Sequence, residues 1–362
     1  MAETFAATIS EAIAAVQPIN RDWLARAEAR QLNLTKPAGS LGRLESIANQ
    51  LAAIQQTDQP RLERKRIYVA AADHGVTAEG VSAYPSAVTA QMVDNFLRGG
   101  AAINVLARLN GCEVCVVDAG VAADLSDRAG LLHRKVVSGT ANFVQAAALT
   151  RAQAEHAVAI GIELARAAKQ DGVAALGIGE MGIGNTTSAS ALTAALTGQP
   201  VELVTGTGTG IDEAQREHKR AVIRRALAFH QLDQESGQVT DAFELLAKIG
   251  GAEIGVMMGL VIGAAAERIA VVADGFISTA AAALAVKHCQ TAREYLFFAH
   301  RSVEPGHSAL LESLNAEPLL DLQMRLGEGT GAALALHLLE SAARLLSEMA
   351  TFGEAGVSEK TQ

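Results

Sequence analysis

Six short apolar runs, each closing on a polar or small residue, constrain this chain more than any other feature. The first is Ile67-Tyr-Val-Ala-Ala-Ala-Asp73, and the others fall at 113–118, 174–177, 201–205, 270–274 and 295–299. Runs of this length without polar alternation are what strands buried on both faces look like. Helical periodicity separates many of them, at 86–109, 151–169, 189–196, 213–229 and 253–268. Strands alternating with helices imply right-handed crossovers, hence an α/β chain with a doubly wound parallel sheet. Ligands of such sheets bind beyond the carboxyl ends of the strands, so the strand-to-helix junctions are where chemistry is sought.

Both ends of the chain read differently. Residues 9–16, 21–30 and 41–55 carry apolar positions at helical spacing, with the Pro- and Gly-bearing stretch 36–42 as a loop between the last two. The last third is helical again, notably at 331–349. We therefore expect a large domain over 61–300 and a small helical one from 1–60 and 301–362 that closes on the site. A chain of 362 residues is long enough to bury such a core. Its 33 glycines and 4% aromatic content suit helices packed closely on a sheet.

Several function classes are set aside. A net charge of −9 argues against nucleic acid, whose phosphates need clustered Lys and Arg. A small anionic substrate is still allowed, because helix N-termini bind phosphate without net positive charge. The most apolar stretch, 254–266, is interrupted by glycines and is shorter than the roughly 20 residues of a membrane span. It reads as a buried helix, and the N-terminus lacks the pattern of a signal peptide. Cys112 and Cys115 form a C-x-x-C with no second pair to complete a zinc set, and they read as core of a strand. Sparse cysteine fits a reducing cytoplasm. The nine histidines form no metal or triad pattern, so neither metal nor cofactor is expected.

Five segments carry the polar content a site needs. After the first strand, 73–85 forms a long loop with Ser82 and Tyr84 as hydrogen-bonding candidates, and Gln91 stands near the start of the next helix. A capped loop explains the same residues. The segment 177–188 places Gly182, Gly184, Asn185, Thr186 and Thr187 at a helix start, the way a phosphate site is built without arginine. Its Gly177, Gly179 and Gly182 also match G-x-G-x-x-G, which makes a nicotinamide-dinucleotide enzyme the second reading. Glu180 inside that loop speaks against it, since a carboxylate repels phosphates and suits a ribose or a forming cation. The segment 204–212, with Gly206, repeats the glycine theme, and Lys219 follows two turns into the next helix. Asp274 ends another strand, where a carboxylate is generically a helix cap. Finally, Glu328 stands between two glycines in Arg325-Leu-Gly-Glu-Gly-Thr-Gly331, ahead of a long helix. Helix capping and close ligand approach explain it equally well.

Taken together, the chain resembles the nicotinate-nucleotide–dimethylbenzimidazole phosphoribosyltransferases. The likeness runs in order through Lys36-Pro-Ala-Gly-Ser-Leu-Gly-Arg-Leu-Glu45, Ala72-Asp-His-Gly-Val76, Gly179-Glu-Met-Gly-Ile-Gly-Asn-Thr-Thr187 and Thr205-Gly-Thr-Gly-Thr-Gly210. It continues through Asp274-Gly-Phe-Ile277, Leu326-Gly-Glu-Gly-Thr-Gly331 and Ala350-Thr-Phe-Gly-Glu-Ala-Gly-Val-Ser358, departing at Gly353, where an acidic residue is expected. The resemblance implies a homodimer with a Rossmann-like large domain. It implies transfer of ribose 5-phosphate from nicotinate mononucleotide to 5,6-dimethylbenzimidazole, giving α-ribazole 5′-phosphate and nicotinate. It places the catalytic glutamate on Glu328 and a second acidic residue on Glu180. Phosphate and ribose contacts fall on the 182–187 loop, Lys219, Asp274 and Ser302, with Ser82, Gln91 and Leu326 at the benzimidazole.

Overall fold

The computed structural model describes residues 2–208, 210–233 and 241–358. Three helices open the chain: α1 (Ala2–Ala15), α2 (Arg21–Asn33) and α3 (Arg43–Gln55). Asn20 starts α2 by accepting the Asp22 and Trp23 N–H groups on its side chain. The loop before α3 is closed by Glu45, whose Oε1 accepts from Lys36 Nζ at 2.7 Å and from Leu41 N at 3.1 Å.

Strand β1 (Lys65–Ala72) is buried along its whole length, as an unalternating apolar run requires. The predicted helix over 86–109 is two, α4 (Ala87–Leu97) and α5 (Ala102–Leu109), parted at Gly99 in a left-handed conformation (φ +77°). Then come β2 (Cys112–Gly120), the two-residue β3 (Leu132–His133), α6 (Arg151–Gln170), β4 (Ala175–Met181) and α7 (Asn185–Thr197). The apolar run at 201–205, expected as a strand, is the single helical turn α8 (Val201–Val204). A run this short has no periodicity to separate the two, and Pro200 directly before it suits a helix start. The chain continues through α9 (Glu213–Phe229), α10 (Ala242–Ile249), α11 (Ala252–Ala266), β5 (Ala270–Ala273), α12 (Phe276–His288), β6 (Leu296–Phe298), α13 (Pro305–Ser313), α14 (Thr330–Glu348) and α15 (Phe352–Ala355).

Among the described residues the sheet has six strands, all parallel, in the order β3-β2-β1-β4-β5-β6. The chain steps outward from β1 to β3, then returns to the other side of β1 and steps outward again. That reversal makes the β1/β4 boundary the topological switch point, where a crevice opens beyond the strand ends. Ala70 pairs with Glu180 and Ala71 with Met181, so β1 and β4 end level. This register puts Asp73 and His74 beside the end of β4.

Helices α11 and α14 both pack on β1, β4 and β5 without packing extensively on each other, so they cover opposite faces. Helix α11 is also covered by α6 on its far side, which explains why it is apolar all round. Its Gly259 lies so close to α6 that a Cβ there would fall 2.0 Å from the Val158 carbonyl oxygen. No helix of the described residues is long and apolar enough to cross a membrane. Helices α2 and α3 pack on α14, and Leu34 bridges Thr351, so the two ends of the chain meet.

Candidate active site

A cavity of about 510 Å³ opens at the switch point. Among the residues singled out from sequence, Tyr84, Glu180, Gly182, Asn185, Thr186, Asp274, Ser302, Leu326 and Glu328 line it. They come from five separate segments and meet only because the strands end together. Gly184, Thr187 and Lys219 lie behind this wall, and Gly206 is set back beneath the Glu304 carboxyl group. Ser82 lines a neighbouring depression on the far side of Tyr84. Gln91 is solvent-exposed on α4. The face of α4 that reaches the cavity is instead Val88 and Met92, one turn apart. Met181, Ile183, Phe276 and Leu326 also line the cavity, so much of its wall is apolar and suits a flat heterocycle.

Glu328 sits in a run of three left-handed residues, Gly327 (φ +83°), Glu328 (φ +64°) and Gly329 (φ +85°). A left-handed glutamate costs about 1 kcal/mol or more, so the surroundings must impose it. Asp274 does so: its Oδ2 accepts from Gly329 N and its Oδ1 from Ala332 N, both at 3.0 Å. The strand-end carboxylate thus caps α14 across a chain separation that sequence cannot reveal. Gly179 of β4 completes the seat, since a Cβ there would stand 2.4 Å from Gly329 N. Glu328 is 6% exposed, and its Oε2 has no partner among the described residues. Burial raises its pKa, opposed by the Ile103 N–H in the first turn of α5 and assisted by the Asp274 charge. A buried carboxylate with a free acceptor and a raised pKa is equipped to take a proton.

Glu180 faces the same turn; a Cβ at Gly327 would lie 2.3 Å from its Oε1. Burial first, then the Glu253 charge, push its pKa up to about 8, against a hydrogen bond donated by Asn185 Nδ2. Asp274 is likewise pushed up by burial and held back by His300 and by backbone N–H groups of the α14 start. In their ionised forms these carboxyl groups favour positive charge arising in the cavity.

The start of α7 supplies groups suited to an anion. Lys219 is 1% exposed, and its Nζ donates to Thr186 Oγ1 at 2.8 Å in the first turn of α7. Burial lowers its pKa to about 8, with Glu304 opposing the shift. Gly208 is held in turn: its N donates to Glu304 Oε1 at 2.8 Å and its carbonyl accepts from Arg325 at 3.2 Å. Ser302 is fixed by His307, whose Nδ1 accepts from Ser302 N at 2.9 Å while Nε2 bonds Thr279 Oγ1 at 3.0 Å. Burial holds the His307 pKa down to about 3, so the ring stays neutral and its tautomer is set.

Sequence reasoning missed Glu304, His300 and Arg325 as cavity residues, although Arg325 stood inside a quoted motif. His74 follows β1 in one of the motifs that carry the resemblance. His74 is fully buried, with Nε2 2.6 Å from Glu253 Oε1, and lies behind the 182–184 loop. The G-x-G-x-x-G signal has a packing cause. Gly177 and Gly179 are bare because Ala332 and Gly329 of the α14 start press on β4, which leaves no room for a pyrophosphate. Burial raises the Cys112 and Cys115 pKa values to about 11, unlike reactive thiols.

Known proteins share both the sequence and the fold. Residues 16–357 match the DBI_PRT family, described as phosphoribosyltransferase. A nicotinate-nucleotide–dimethylbenzimidazole phosphoribosyltransferase of Chloroflexus aggregans is 52% identical over 98% of this chain and 99% of its own. The enzyme of that name from Geobacter metallireducens is 52% identical over 97% and 98%. The crystal structure of a Thermus thermophilus protein with the same name superposes with a TM-score of 0.88 at 49% identity, covering 94% of this chain and 100% of that one.

Proposed function

The chain belongs to the nicotinate-nucleotide–dimethylbenzimidazole phosphoribosyltransferase family, and from that premise we propose how its cavity works. It is a phosphoribosyltransferase of cobalamin lower-ligand synthesis. Ribose 5-phosphate passes from nicotinate mononucleotide to 5,6-dimethylbenzimidazole, giving α-ribazole 5′-phosphate and nicotinate. The observation that carries this reading is the meeting, around one cavity, of the buried acids Glu180 and Glu328 with a helix start backed by Lys219 behind Thr186. Nicotinate mononucleotide carries the groups such a lining suits, a phosphate and a pyridinium nitrogen.

The nicotinate ring leaves with the electrons of its bond to C1′ and becomes neutral at nitrogen, so no acid is needed. C1′ becomes oxocarbenium-like, as in glycoside chemistry. One benzimidazole nitrogen attacks from the face opposite the leaving group, which turns a β-linkage into an α-linkage. Its other nitrogen then holds an acidic proton, which Glu328 accepts and later gives to solvent. Glu180 in its ionised form offsets the charge growing on the ribose. Asp274 acts through Glu328 by holding the turn, and the 182–187 loop with Lys219 and Ser302 anchors the phosphoribosyl group. Incubation with both substrates tests the reaction, and absence of both nicotinate release and an α-linked product would reject it. A homodimer belongs to the same reading and is checked by light scattering.

The anion-binding groups make their own prediction. Lys219 is charged below about pH 8 and neutral above it. Phosphate binding therefore weakens as pH rises through 8, by about tenfold per pH unit in the dissociation constant of nicotinate mononucleotide. Glu180 titrates in the same window. Lys219→Met separates the two: its dissociation constant should begin high and stay flat with pH. A rise that persists in this variant assigns the effect to Glu180 instead.

A further inference from the structure

Glu304 is the buried acid that the proposed chemistry leaves unused. It stands before the first residue of α13, is 5% exposed, and lines the cavity. One carboxyl oxygen is committed, since Oε1 accepts from Gly208 N at 2.8 Å. The other, Oε2, is buried and has no partner among the described residues. It lies over Gly206, where a Cβ would approach it to 2.1 Å. A staple for the 206–208 loop needs only the first oxygen. Leaving the second one buried without a donor is costly, and it is what a site waiting for a ligand donor looks like.

The chemistry of the donor follows from the surroundings. An anion is excluded as the partner, because phosphate and the nicotinate carboxylate bring only acceptors. Glu304 stands at the 206–208 glycine loop near Lys219, where the phosphate is held in the reading above, whereas Glu328 sits in the turn at the start of α14. The ribose is bonded directly to that phosphate through C5′. The neutral donors nearest the phosphate are the hydroxyl groups of that ribose.

We propose that Glu304 is a substrate-contacting residue whose Oε2 accepts a hydrogen bond from a ribose hydroxyl of the phosphoribosyl donor, while Oε1 holds Gly208. The proposal rests on the function given above, so its test has to fail separately from that function. Calorimetric binding of nicotinate mononucleotide and of its 2′-deoxy and 3′-deoxy analogues supplies this, because it needs no turnover. Wild-type activity with nicotinate mononucleotide is the control for the function itself.

For the wild type, one of the two deoxy analogues should bind about 10- to 100-fold more weakly than the parent. Glu304→Ala should lose a similar factor on the parent but almost nothing further on that analogue. Glu304→Gln keeps an acceptor oxygen and should fall between. Equal losses for parent and both analogues in Glu304→Ala would reduce Glu304 to a loop staple and overturn the proposal. Unchanged binding of the parent in Glu304→Ala would overturn it as well. Loss of discrimination between parent and analogue is a signature that a merely structural glutamate does not produce.

Discussion

Glu328→Gln should lose roughly two to four orders of magnitude in turnover, the usual worth of a general base, while binding nicotinate mononucleotide within about threefold of the wild type. The substitution keeps the size of the side chain, so the left-handed turn and its bonds to Asp274 survive. What disappears is the capacity to take a proton at a buried carboxylate whose Oε2 has no partner among the described residues. Single-turnover kinetics with saturating benzimidazole separates the two quantities. Near-normal turnover would leave Glu328 as a helix-start residue only and remove the base from the mechanism. A parallel collapse of binding and turnover would show that the turn itself had been lost.

The second large effect is expected at Asp274. Its carboxylate satisfies two buried N–H groups at the start of α14 and is 1% exposed. Asp274→Ala leaves both N–H groups without a partner, at a cost of about 2–4 kcal/mol to the folded state. It also frees the turn that aims Glu328, and a displacement of about 1 Å there can cost a factor of about 100 in turnover. The two roles open to Asp274 divide cleanly. A positioning residue loses turnover while the affinity for nicotinate mononucleotide holds, whereas a direct ribose contact loses affinity first. We expect the former, with a lowered denaturant midpoint; weakened binding with an unchanged midpoint would refute it.

How much of this was legible beforehand varies with the physical scale of the signal. The strands that pair as β1, β2, β4, β5 and β6 were visible because a run buried on both faces has few polar interruptions. The run at 201–205 failed because four or five apolar residues look alike as strand or helical turn. Helix α12 was missed for a related reason. Its Ala-rich sequence is buried nearly all round, so it has no amphipathic period to detect. The acids of the site were legible as chemistry but not as geometry. Asp274 looked like a generic cap, and only the fold shows that the helix it caps begins 55 residues later at the Glu328 turn. Glu304 could have been found from one clue, an acid directly before Pro305-Gly306 at the end of a strand-to-helix junction. The role of Gln91 came from the resemblance alone; its side chain is exposed on α4, and Met92 beside it lines the cavity.

The left-handed glutamate has a consequence for how such a chain can change. A residue held at φ +64° between two glycines is a position where glycine itself would sit without strain. With Glu328 as the proposed base, heat tolerance and turnover pull in opposite directions at one codon. A laboratory lineage selected only for a folded, long-lived protein would find Glu328 among its easiest losses. If Glu328 is the base proposed above, a lineage dependent on the product would have to keep it and the strain with it.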